Sequence, residues 1–275
     1  MKKYELTSET IIYNVITLYR IKALEDFSNV KKGEFGGFVE NERNLDQNGD
    51  AWVYGNAKVY GDAEVYGNAK VYGNAKVYGN AEVSGDAEVS GDAEVSGYAK
   101  VYGYAKVYGD AKVYGDAKVY GDAKVYGDAE VLGNAEVSDN AEVLGNAKVY
   151  GYTEVSGNAD VLGNAKVYGN AKVYGDAWVL GNTKVSGDAE VSGNAEVYGD
   201  AKVSGNADYI VFKNWWSSGR YFTWTRSNNM WAVGCFYGNG EELIKKAYGD
   251  SELSGREYER VVQYVESIIN QSINI

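Results

Sequence analysis

The chain contains no histidine, no proline and only one cysteine, and it has no arginine between residues 50 and 208. Each absence removes a class of explanation. Without His, no side chain with an ordinary pKa near neutrality can act as a general base, and no imidazole can hold zinc. One Cys, Cys235, excludes an internal disulfide framework and fits a reducing compartment. No apolar run is long enough to span a bilayer. The opening MKKYELTSETIIYNVITLYRIKAL starts basic, but it lacks an uninterrupted apolar stretch and a small-residue cleavage site, so it reads as folded protein. A formal net charge of −12 argues against nonspecific attraction to nucleic acid or to an anionic membrane. These exclusions leave the expectation of a soluble cytoplasmic protein without membrane contact.

What is abundant is glycine, tyrosine and regularity. Val stands at 53, 59, 65 and every sixth residue to 203, 26 times without a miss. Two residues before each Val is Ala, except at Thr153 and Thr183, and two residues after it is Gly, except at Asp139. Asn or Asp follows, except at Tyr98, Tyr104 and Tyr152. The unit is A-x-V-x-G-N/D. In a strand, Ala and Val point to one side and the two x residues to the other. Gly-Asn and Gly-Asp tolerate positive φ, so each hexad ends in a corner. A strand this short cannot bury its inner face alone, but stacked coils can. Three hexads close a triangular coil of 18 residues, and 26 hexads give eight to nine coils. At ~4.8 Å per strand the rod is roughly 40 Å long.

The unit resembles the hexapeptide repeat of left-handed parallel β-helices. The left hand is implied by that resemblance alone, because general chirality favours right-handed crossovers. The fold class is therefore expected to be mainly β. It comprises a parallel, left-handed β-helix over 50–208, an N-terminal cap over 1–49, and a small α+β unit over 209–275. Most members of the hexapeptide family are acyltransferases with a His general base, and some are carbonic anhydrases holding zinc through three His. This chain has no His and no extruded loop, so no enzyme activity, catalytic residue, metal or cofactor is expected. Some ice-binding proteins share the fold and present rows of Thr, but Thr153 and Thr183 stand at inward positions.

Every third hexad should share a face. The Val59 face presents Lys58, Lys76, Lys112, Lys148, Lys166, Lys184 and Lys202 against Glu94 and Glu130. The Val65 face is mainly acidic, and the Val53 face carries the row Leu144, Leu162 and Leu180. That Leu row is a candidate subunit contact. Asp corners border each face, so direct nucleic-acid binding is not expected.

At the N-terminus, YNVITLYRIKAL suggests one or two strands, and Gly36-Gly37 suggests a sharp turn. The run GEFGGFVENERNLDQNGDAWVYGNAKVYGDA resembles the opening segment of uncharacterised proteins of bacteriophages and prophages. Residues 209–237 hold ten aromatics. DYIVFK, RYFTWTR and MWAVGCFY read as strands, with Ser227-Asn228-Asn229 as a hairpin turn. Cys235 is expected buried within its strand. Gly238-Asn239-Gly240-Glu241-Glu242 has glycines like a phosphate loop but lacks the Lys-Ser/Thr ending, and it reads as a helix start. Helices are expected near 241–248 and 255–270.

This aromatic unit is the place expected to recognise a partner, with Trp215, Trp216, Arg220, Arg226 and Trp231 as candidates. The functional expectation is a non-enzymatic protein-binding scaffold, phage-encoded and homo-oligomeric, acting on a host protein such as a defence complex. Two alternatives stand beside it: an oligomeric sponge for a nucleotide signal, and a structural virion or filament component.

Overall fold

The computed structural model describes residues 2–272; residue 1 and residues 273–275, the outer ends of the two terminal segments, lie outside it. From Trp52 to Val203 the chain winds as a parallel β-solenoid of about nine coils. Its strands form three sheets. The Val53 sheet has nine strands and the Val65 sheet eight, while the Val59 sheet reaches twelve because three N-terminal strands join it. Strands pair in register eighteen residues apart, as in Val59 with Val77 and Val65 with Val83. Every Val and Ala of the repeat from Ala51 to Val203 is fully buried, and so are Thr153 and Thr183. Each Val contributes about 1.5–3 kcal/mol by leaving water.

The corners work as the sequence demands. Glycines from Gly49 to Gly199 have φ between 57 and 89°. They also pack closely: a Cβ on Gly91 would lie 2.8 Å from the carbonyl oxygen of Gly109 in the next coil. Asp139 replaces one of these glycines at φ 57°, and its Oδ2 accepts from the Gly157 N–H at 3.0 Å. Asp is among the few side-chain-bearing residues that visit this region.

The ends of the solenoid are closed by side chains and, on one face, by an added strand. In mid-rod, the first x residue donates its N–H to the Ala carbonyl of the next coil, as Lys184 does to Ala201 at 2.9 Å. In the last coil the acceptor is a side chain instead. Glu190 donates to Asn206 Oδ1 at 2.8 Å, Glu196 to Thr223 Oγ1 at 2.8 Å, and Lys202 to Ser227 Oγ at 2.6 Å. At the other end the carbonyls of the first coil are taken. Ala51 accepts from Lys3 Nζ at 3.0 Å, Ala57 from the Phe38 N–H at 2.9 Å, and Ala63 from Asn44 Nδ2 at 2.9 Å. Lys3 is buried, and desolvation pulls its ammonium down to about 8 despite nearby Asp46 and Asp50. Unpaired strand edges invite further strands, and these bonds remove that invitation.

The N-terminal segment is an antiparallel hairpin, Tyr4–Tyr13 with Ile16–Ala23, followed by strand Phe35–Val39, which pairs in parallel with the first Val59-face strand. Gly36 and Gly37 are not a turn. They lie inside that third strand, where Cβ atoms would meet Val53 O at 2.5 Å and Ala57 O at 2.6 Å. Close backbone approach, not chain reversal, requires them.

At the other end, strands Tyr209–Lys213, Tyr221–Thr225, Met230–Val233 and Phe236–Gly238 form an antiparallel sheet. Helices α1 (Gly240–Asp250) and α2 (Glu252–Ser272) pack on it around Phe222, Trp231, Leu243 and Val262. Asn239 and Glu242 exchange the two bonds of a capping box at the α1 start. MWAVGCFY is two strands rather than one. Val233 pairs with Phe236, so Gly234-Cys235 is a two-residue hairpin turn, with Gly234 at φ 56°. Cys235 is therefore exposed, not buried. No helix of the described residues is long and apolar enough to cross a membrane.

Candidate functional site

Most outward side chains of the solenoid are engaged with one another. Lys76 pairs with Glu94 at 2.8 Å, Lys118 with Glu136 at 2.7 Å, and Lys124 with Glu142 at 2.6 Å, each one coil apart. Tyr78, Tyr120 and Tyr126 donate to the same three carboxylates. Tyr60–Tyr78, Tyr102–Tyr120 and Tyr108–Tyr126 stack at 4.8–5.1 Å. Desolvation raises these phenols above their ordinary value at Tyr60, Tyr102, Tyr108, Tyr120 and Tyr126. Leu144, Leu162 and Leu180 do form one column on the Val53 face, but each is half-buried by its neighbours.

The C-terminal unit offers a different surface. The turn after Lys213 is built on the buried Asn214. Its Oδ1 accepts from Ser217 N at 2.9 Å, its Nδ2 donates to the Tyr258 hydroxyl at 3.0 Å, and its carbonyl accepts from Gly219 N at 2.8 Å. This frame holds Trp215 outward, 76% exposed, and turns Trp216 inward against Phe222 and Tyr258. The two indoles meet edge-on at 6.0 Å. Arg220 closes the turn and lines a cavity of about 430 Å³ between the Gly234-Cys235 hairpin and both helices. Lys246 and Asp250 of α1, Ser254 and Tyr258 of α2, and Cys235 share its polar lining with the Asn214, Ser217 and Ser218 side of the turn, over a floor of Val233, Phe236 and Leu243. Burial raises the Tyr258 phenol above its ordinary value.

The five sequence candidates do not converge. Trp215, Trp216 and Arg220 share the turn. Arg226 is exposed at the opposite end of strand Tyr221–Thr225, roughly 20 Å from Arg220 at ~3.3 Å per residue. Trp231 is 2% exposed and belongs to the core, which corrects its reading as a contact residue. A four-stranded sheet this small must fill its interior with large rings, and Trp231 lies against Phe212 and Phe222. Lys246, Asp250 and Ser254 carried no sequence signal, because only the folding back of the helices brings them to Arg220.

A second polar junction lies where this unit meets the rod. Glu196 Oε2 is buried without a hydrogen-bond partner among the described residues. Burial raises its carboxyl, opposed by the Gly234 N–H and by Arg220. The neighbouring Tyr198 phenol is pushed up by burial to about 12.

A scan against models of protein families and a comparison with curated proteins give no match to this chain.

Proposed function

We propose that this protein is a non-enzymatic binding scaffold, in which the solenoid is a rigid spacer and the Asn214–Arg220 turn grips a partner protein. The reading rests on one observation. Trp215, a residue type that dominates interface energetics, is held 76% exposed on a hydrogen-bonded frame beside an exposed Arg. Ordering such a side chain before binding lowers the entropy cost of association. The chemistry favours binding over catalysis, since no imidazole is present to act as a general base near neutral pH. The repeat's likeness to left-handed hexapeptide β-helices and the opening segment's likeness to phage and prophage proteins set the context. In that context the partner is a host protein, and we favour a defence complex blocked in the bacterial cytoplasm by a homo-oligomer of this chain. Capture from a bacterial lysate with the full chain and with Trp215→Ser tests the reading. The partner should be lost with the variant while its circular dichroism is unchanged. A catch that survives Trp215→Ser refutes the assignment.

The cavity lined by Arg220, Lys246 and Tyr258 favours a second reading, a sponge for a nucleotide signal. Cyclic and adenine nucleotides should then raise the thermal midpoint, and no shift with any of them rejects it. The closed ends of the solenoid weigh against a head-to-tail filament, which mass measurement in solution checks directly.

A further inference from the structure

Lysines face lysines in register at six places in the solenoid: 58/76, 100/118, 106/124, 148/166, 166/184 and 184/202. Like charges directly opposed destabilise a sheet. The first three pairs are relieved locally. Lys100 and Lys118 reach Glu82 and Glu136 at 2.8 and 2.7 Å, and Lys106 and Lys124 reach Glu88 and Glu142 at 3.5 and 2.6 Å. Lys76 pairs with Glu94 at 2.8 Å, while Lys58 lies over the Tyr13 ring. Lys148 turns back to Glu130 at 3.0 Å. Lys166, Lys184 and Lys202 then follow with no acidic residue in their column beyond Glu130 and no ion pair among the described residues, and all three are exposed. The two carboxylates at the bordering corners, Asp188 and Asp200, already accept from Asn170 and Asn182 amides at 2.9 and 3.0 Å. Past Lys202 the row meets the turn of Ser227, whose neighbour Arg226 is also exposed.

We propose that the Lys166–Lys184–Lys202 ladder docks an acidic α-helix of a partner protein laid along the solenoid axis. Spacing selects the helix. The ladder repeats every ~4.8 Å. Carboxylates at i and i+3 or i+4 on a helix are ~5–6 Å apart, whereas those on one side of an extended strand are ~6.6–6.8 Å apart. Three rungs span ~10 Å, about two helical turns. A nucleic acid fits less well. Apart from Arg226 at its end, the face offers Lys point charges rather than Arg forks, and it lacks the neutralising length that phosphate tracking uses, on a chain of net charge −12. This surface goes beyond the Trp215 reading and does not depend on it.

The test uses the full chain and three fluorescent probes: an Ala-rich helical peptide with Glu along one face, its Gln counterpart, and an oligothymidylate of equal charge. The Glu peptide should bind at low salt and weaken as salt is added, and the Gln peptide should not bind. Lys166→Gln/Lys184→Gln/Lys202→Gln should lose at least about tenfold in affinity, and Lys100→Gln/Lys118→Gln should lose little. Equal binding by the triple variant, no binding of the Glu peptide, or tighter binding of the oligothymidylate overturns the proposal. The thermal midpoint gives a separate readout. Removing unrelieved like charges should leave it unchanged or raised, and a lowered midpoint would make the ladder structural and sink the docking role.

Discussion

Replacing Gly91 by Ala, and separately Gly193 by Ala, divides the reason for corner glycine into two parts. Both residues sit in the left-handed region, at φ 72° and 63°. Both variants therefore carry the same backbone cost, about 1–2 kcal/mol. Losing a glycine from the unfolded chain returns about 0.4–1 kcal/mol. Their surroundings differ. A Cβ at Gly193 has nothing within 4 Å, while one at Gly91 meets the Gly109 O, N and Cα at 2.8, 3.0 and 3.2 Å. That carbonyl already accepts from the Asp92 N–H at 2.9 Å, so it cannot retreat without breaking a rung. Overpacking of this kind costs a further ~1–3 kcal/mol. Gly193→Ala should lose about 0.5–1.5 kcal/mol and Gly91→Ala about 2–4 kcal/mol. A stacked array need not unfold in one step, so native-state hydrogen exchange on peptides spanning each coil is the measurement of choice. If the two variants lose equal stability, the close approach of coils is not the constraint. If neither loses more than about 0.5 kcal/mol, the corner argument fails altogether. Gly91→Asp supplies a check from within the molecule: Asp139 shows how a carboxylate takes the next coil's N–H, so Asp should cost less than Ala.

Three further outcomes follow from buried groups. Thr183 and Thr153 bury hydroxyls without partners among the described residues, so Thr183→Val and Thr153→Val should each stabilise by about 1–2 kcal/mol in urea unfolding; a loss would mean the hydroxyls are satisfied in solution. The Glu196 carboxyl is raised by burial, so the folded chain binds more protons than the unfolded one just above pH 4.5, and docking of the C-terminal unit should tighten as pH falls through that window. Glu196→Gln should raise the thermal midpoint at pH 7 and abolish its gain on acidification. Burial also raises Tyr60, Tyr72, Tyr126 and Tyr198, so the stability their protonated forms provide is complete below pH 10 and is lost above it. Tyrosinate absorbance should then rise together with loss of circular dichroism, and phenols that titrate freely near pH 10 in a folded chain would contradict this.

The rod was legible because its physics is local. Val and Ala alternate inward, Gly and Asn turn the corner, and the period of three hexads follows from closure. The charged columns followed from the same arithmetic. The ends were not legible, since Lys3, Asn44, Asn206, Thr223 and Ser227 are single polar residues in irregular sequence, and several of their partners lie some twenty to fifty residues away. Gly36-Gly37 misled for a related reason: a glycine needed for contact and a glycine needed for φ look alike in sequence. In the aromatic unit the elements could be read, but inside and outside could not. Trp215 and Trp231 are the same residue type in similar company, and only the Asn214 frame and the sheet core separate them.

The three-faced coil has one more consequence, which concerns heredity. Gain or loss of one hexad by slippage in a repetitive gene leaves the Val and Ala pattern intact. It would nevertheless turn the C-terminal unit by a third of a revolution about the axis and move it a third of a coil along. Gain or loss of three hexads would lengthen or shorten the rod by one strand spacing and restore the original bearing. The number of hexads is thus an address with two coordinates, reach and heading, and it can change without altering a single contact inside the core.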